Sequence, residues 1–149
     1  MAERVLAIDY GERRVGLAIS DPETSFVSGL PTLDRRALKE GGLTAAIATL
    51  VAEREVQRIL VGVPYSLDGS IGPAAERVLA FRDRLHLTTD VPVDEWDERL
   101  TTEAAKRRLE ELGYSEKEMR GKLDQLSAAL MLEQYLRFRE SHPDPEPLP

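Results

Sequence analysis

The sequence predicts an α/β domain built on a mixed sheet of about five strands with helices on both faces. Three observations carry this expectation. Two apolar runs, Val5–Ile8 and Val15–Ile19, flank a short polar turn and read as an antiparallel hairpin. The continuous apolar run Ile59–Val63 has the pattern of a strand covered on both faces. Helical-period stripes alternate with the later strands, which requires parallel pairing through right-handed crossovers.

Each element follows from its local pattern. In the second strand Val15, Leu17 and Ile19 alternate with small residues, and Tyr10-Gly11-Glu12 supplies the turn before it. A third strand over Phe26–Leu33 is interrupted by Gly29 and Pro31, which suits a sheet edge. Leu43, Ala46, Ile47, Leu50 and Val51 fall on one helical face. The loop Pro64–Pro73 leaves the Ile59–Val63 strand and leads to a helix with the stripe Ala74, Val78, Phe81 and Leu85. Val91–Trp96 reads as a strand, and Thr101–Leu112 as a helix with a seam at Ala105, Leu109 and Leu112. The polar stretch Gly113–Lys122 is expected to be a mobile loop, with a last helix from Leu123. One domain over residues 1–138 is expected, followed by a flexible proline-rich tail, 139–149.

Composition narrows the chemistry. The 149 residues contain no cysteine, which excludes a disulfide framework or a thiolate zinc site and suits a cytoplasmic protein. No apolar stretch is long enough to span a bilayer, and no signal-peptide core is evident. The two histidines, His86 and His142, are too distant in sequence to form a local ligand pair. A metal site would therefore be oxygen-based, pointing to Mg²⁺, Mn²⁺ or Ca²⁺. The net charge of −7 argues against a simple electropositive clamp for nucleic acid, although local basic clusters can reverse the field.

Acids collect where parallel strands end. Asp9 closes the first strand, Asp68 lies in the loop after Ile59–Val63, and Asp97 and Glu98 follow the last strand. Asp124 opens the expected last helix. Several carboxylates on one edge need a counter-charge, which a divalent cation supplies. Plainer readings stand beside this one. Asp9 and Asp68 precede glycine-containing turns, Asp124 suits a helix cap, and Glu98 suits a solvated surface. Trp96 could stack a base, but a strand-end tryptophan more often belongs in a core.

The blocks IDYGERRVGLAISD, VGVPYSLDGSIGPAAERVLAFRDRL, DERLTTEAAKRRL and KLDQLSAALMLEQYL resemble the YqgF (RuvX) family over Val5 to about Leu136. That family comprises bacterial RNase H-like proteins described as Holliday-junction resolvases and as pre-16S rRNA nucleases. The resemblance implies an RNase H-like fold and phosphodiester hydrolysis with Mg²⁺ or Mn²⁺, as two ions. It implies catalytic, metal-holding acids at Asp9, Glu98 and Asp124, with Asp97 as an assisting or substitute ligand, and a 5′-phosphate product. The run Gln125-Leu126-Ser127 departs from the smaller apolar residues usual in the last block.

Substrate contacts are expected from Arg13 and Arg14 beside Asp9, from Thr101 and Thr102, and from Arg120 and Lys122 in the basic stretch before Asp124. One threonine could instead cap its helix. RNA, as pre-rRNA, is the first expected substrate, with branched or single-stranded DNA second. The chain would act as a monomer or homodimer away from membranes. Asp9-x-Gly11 also resembles the phosphate loop of the actin, Hsp70 and sugar-kinase superfamily, but a single short domain cannot close around ATP as those proteins do. A binding module without catalysis is the remaining alternative.

Overall fold

A computed structural model describes residues 2–39 and 41–143, with the backbone course alone for 101–105 and 120–125. The strands are β1 (Val5–Tyr10), β2 (Arg14–Ser20), β3 (Val27–Asp34), β4 (Arg58–Val63) and β5 (Val93–Asp97). The helices are α1 (Gly42–Glu53), α2 (Pro73–Thr88), α3 (Glu98–Glu111) and α4 (Glu116–Ser141), with a 3₁₀ turn at Arg35–Ala37. One five-stranded sheet has the order β3-β2-β1-β4-β5. β2 pairs antiparallel with β1 and β3, whereas β1, β4 and β5 run parallel. The expected mixed sheet is therefore present, with β3 on an edge.

Strand alternation builds two unlike cores. Leu6, Ile8, Val15, Leu17, Ile19, Ile59, Val61 and Val63 face α1 and α2, where Ile47, Val78, Phe81 and Leu85 complete a large apolar layer. The opposite row holds Val5, Ala7, Ala18 and Leu60, packed against Ala128, Met131, Leu132 and Tyr135 of α4. The residues alternating with that first core thus include the small Ala7, Gly16, Ala18 and Gly62, which let α4 approach closely. A Cβ on Gly62 would stand 2.8 Å from Met131 Sδ.

Several sequence expectations shift. The apolar stripe of α2 begins at Ala75, not Ala74, which is exposed. Leu109 is fully buried, but Leu112 is 65 % exposed because α3 ends there, before Gly113 turns the chain at positive φ. Ala105 belongs to the residues described by backbone alone.

The larger correction concerns 113–122. Helix α4 starts at Glu116, so most of the expected loop is helical. Ser115 Oγ accepts from the Glu118 amide at 3.2 Å and donates to the Glu118 carboxylate at 2.8 Å. This Ser-x-x-Glu capping arrangement was legible in the sequence, but the surrounding charges masked it. Asp124 is consequently an interior helix residue and not the start of a helix. At the other end α4 continues through Ser141, so Arg139–Ser141 are not tail, while 144–149 lie outside the described residues.

The amino edge of the parallel strands is tied by polar groups. Arg58 is nearly buried and donates to Glu3 at 2.7 and 3.2 Å and to Asp94 at 3.0 Å. Tyr135 Oη donates to the same Asp94 oxygen at 2.6 Å, joining α4 to β4 and β5. Among the described residues, no helix is long and apolar enough to cross a membrane.

Gly62→Ala tests the close approach of α4. The added methyl would crowd Met131 and Glu98, so thermal or urea unfolding is expected to show a loss of about 1–3 kcal/mol. An unchanged midpoint would show that those neighbours move aside freely.

Candidate active site

Because β1, β4 and β5 are parallel, their carboxyl ends share one edge of the sheet. Asp9 lies within β1 opposite Gly16 of β2, so it is a strand residue and not the turn residue of the plainer reading. The turn itself is closed by the Gly11 amide donating to the Arg14 carbonyl at 3.1 Å. A Cβ on Gly11 would collide with that carbonyl. Alternation from Val5 and Ala7 puts Asp9 on the α4 face, at the level of Gly62.

Glu98 is the first residue of α3, immediately after the helix cap Asp97. Its side chain lies across β4: a Cβ on Gly62 would stand 2.7 Å from Glu98 Oε1 and 2.9 Å from its Cγ. Glycine at 62 is thus the condition for Glu98 to occupy this position. There its carboxyl hydrogen-bonds to Asp9. Burial first, and then the Asp9 charge, push the Glu98 carboxyl up to about 8. The two acids thus share a proton near neutrality. Glu98 is not the solvated surface residue of the plainer reading.

The other candidates divide. Asp97 accepts from the Arg99 amide at 3.0 Å and from the Arg99 guanidinium at 2.6–3.0 Å, which holds its carboxyl below the usual range. It pairs in register with Val63, whose row faces α1 and α2, so its carboxylate caps α3 and holds Arg99. Arg99 also donates to the Ser66 and Leu67 carbonyls at 3.3 Å, tying the loop after β4 to the β5–α3 junction. Sequence reasoning missed this arginine, and the only available signal was the Asp-x-Arg spacing at a strand–helix junction. Gly62 was missed as well, though a glycine inside an apolar run marks a close approach. Asp68 makes the simple turn, accepting from the Ser70 amide at 2.9 Å and hydroxyl at 2.6 Å.

Arg14 alternates onto the Asp9 face of β2, and Arg13 stands in the turn with a long, exposed ion pair to Asp34 at 3.9 Å. Thr101 and Thr102 fall in the second turn of α3, whose cap is Asp97, so neither threonine is the cap. Their side chains, and those of Arg120, Lys122 and Asp124, lie outside the described residues. The backbone puts Asp124 one helical turn before Ala128, which packs on the sheet. Trp96 packs edge-on against Tyr135 and Phe138, both at 6.0 Å, which supports its core reading.

The donor set suits a hard divalent cation. Two carboxyls in close contact at a half-buried edge retain a proton where a cation would neutralise both. Among the described residues no group of three or more potential ligands is assembled.

Residues 3–138 match the RuvX family, described as a Holliday junction resolvase. A "Putative pre-16S rRNA nuclease" of Chloroflexus aurantiacus is 39 % identical over 140 residues, covering 94 % of this chain and 90 % of the relative. A protein of the same description from Halothermothrix orenii is 39 % identical over 136 residues, covering 91 % and 96 %. Among solved structures, T. thermophilus RuvC in complex with a Holliday junction substrate superposes with a TM-score of 0.58 at 16 % identity, covering 98 % and 99 % of the two chains. The fowlpox virus resolvase with Holliday junction DNA gives 0.51 at 13 % identity, covering 93 % and 97 %. At those identities the structural likeness shows the fold alone. With both the family signature and these relatives spanning most of its length, the chain belongs to the RuvX family.

Proposed function

We propose that the protein is a divalent-metal-dependent nuclease that hydrolyses phosphodiester bonds, with pre-16S rRNA as its first substrate. The observation that carries this reading is the Asp9–Glu98 carboxyl pair, made possible by Gly62 at the carboxyl edge of the parallel strands. The names of the curated relatives support RNA as the substrate. The family description and the fold favour a second reading, cleavage of four-way DNA junctions, which needs paired cuts and hence a homodimer. Absence of cysteine fits a cytoplasmic site of action.

Asp9, Glu98 and Asp124 are the residues that would hold Mg²⁺ or Mn²⁺, as two ions. When bound, the metal supplies an acidified water and neutralises charge on the oxygens around the attacked phosphorus. β1 fixes Asp9 rigidly, since its strand is paired on both sides. A metal held by Glu98 would require its carboxyl in the ionised form, so its binding would depend on pH. Asp97 and Arg99 act as positioning residues by fixing the start of α3, from which Glu98 projects. Arg13, Arg14, Thr101, Thr102, Arg120 and Lys122 are proposed to contact substrate phosphates.

Asp9→Asn is expected to lower cleavage by at least about a thousandfold, a loss of roughly 4 kcal/mol in the transition state, while the melting temperature is kept or raised. The assay compares RNA, linear DNA and four-way junctions in Mg²⁺ and in Mn²⁺. Retained activity in this variant would falsify the metal-site assignment, and symmetric junction cuts in preference to RNA cleavage would establish the second reading.

The Glu98 shift also fixes the sign of a stability change. Its folded-state value of about 8 lies above the ordinary 4.5, so the folded state binds the proton more tightly. That stabilisation is complete below the ordinary value and is lost as pH rises through about 8. Metal-free protein should therefore lose melting temperature across this window, Glu98→Gln should lose less, and Mn²⁺ at about pH 8 should restore the parent but not the variant. Parallel pH profiles for parent and variant would contradict the shared proton.

A further inference from the structure

A groove of about 680 Å³ opens beside the β1–β2 turn on the sheet face opposite Asp9, between the 3₁₀ turn, the start of α1, and α2. Its rim carries Arg36, Lys39 and Arg84, all exposed and none ion-paired to a described carboxylate. Among the described residues the acid lining this groove is Glu12, which pairs with Arg77 at 3.4 Å. Arg35 is committed to structure: it donates to the Gly11 and Glu12 carbonyls at 3.1 and 3.0 Å, bracing the turn beside Asp9. In a chain of net charge −7, so concentrated a group of cations needs an explanation.

The aromatic floor limits what the groove can recognise. Tyr10 stacks on the buried Phe81 ring with centroids 4.6 Å apart, and the Arg35 guanidinium lies 4.5 Å from the Tyr10 centroid. Two groups so near one centroid occupy opposite faces of the ring, so Tyr10 presents no open face for a base. The groove offers charge and not stacking, a combination that reads a phosphate backbone without regard to sequence. Its position supplies the path. Tyr10 and Asp9 are neighbours on β1 facing opposite sides, and Arg14 and Arg13 carry positive charge from the Asp9 face around the turn.

We propose that this groove holds the sugar–phosphate backbone of the nucleic-acid substrate beyond the scissile bond, after the strand has passed around the β1–β2 turn. This rests on the nuclease reading for the location of the scissile bond. An acidic protein partner would also satisfy the charge, but continuity with the catalytic edge favours nucleic acid.

The experiment measures binding of a labelled single-stranded RNA oligonucleotide by fluorescence anisotropy across a salt series, using full-length Asp9→Asn protein to prevent cleavage. Adding Arg36→Ala, Lys39→Ala and Arg84→Ala together should weaken binding at least about tenfold. It should also reduce the slope of log affinity against log salt by about 2, because three phosphates are no longer neutralised. Restoring charge with Arg36→Lys and Arg84→Lys should return most of the slope, and an unchanged melting temperature should accompany the triple variant. RNA affinity and slope unaffected by the triple variant would overturn the proposal. So would loss of affinity for a polyglutamate peptide but not for RNA, which would assign the groove to an acidic protein. Because binding is read without cleavage, absence of metal-dependent hydrolysis in the parent protein would defeat the nuclease reading while a salt-slope change still supported the groove.

Discussion

Glu98 approaches Asp9 only where β4 lacks a side chain, and Gly62 provides that gap. The close contact of two acids has a cost, because each disfavours ionisation of the other in a partly desolvated place. Burial and the Asp9 charge accordingly push the Glu98 carboxyl up, which favours its protonated form. A cation held there would remove the same repulsion that the proton does. Asp97, one residue away, shows the contrast: its charge is matched by Arg99, so it stays ionised and serves the architecture.

The sheet supports this pair by being asymmetric. One face carries large aliphatic residues under α1 and α2, and the other is thinned by Ala7, Gly16, Ala18 and Gly62 beneath α4. Thinning brings α4 down onto β1 and β4, and Met131 reaches the space above Gly62. Tyr135 and Arg58 secure the far end of that packing through Asp94. The helix bearing Asp124 is thereby anchored at the edge away from Asp9 and Glu98.

Charge is segregated as well. Acidic residues dominate the composition, yet Arg36, Lys39 and Arg84 gather around one groove, with Arg13 and Arg14 at the turn that separates it from Asp9. Arg35 links the two regions mechanically, since it braces the turn and covers Tyr10. Global charge is a poor guide to nucleic-acid contact when a few cations share one concavity.

Local pattern alone determined much of this protein. Period-two alternation identified the β1–β2 hairpin, the apolar run Ile59–Val63 identified an interior strand, and carboxylates at strand ends marked the edge where Asp9 and Glu98 meet. These features are legible because they depend on neighbours in sequence. Helix α4 was only partly legible: its Ser115–Glu118 cap is a local signal, but the charged first turns hide an apolar face that shows only against the sheet. Tertiary structure decided which acids meet. Asp97 and Glu98 are adjacent in sequence, yet strand alternation and the start of α3 send one to Arg99 and the other to Asp9. That division depends on the missing side chain at Gly62, which the sequence marks only as a close approach, and on a helix axis set by distant packing, which a one-dimensional pattern cannot express.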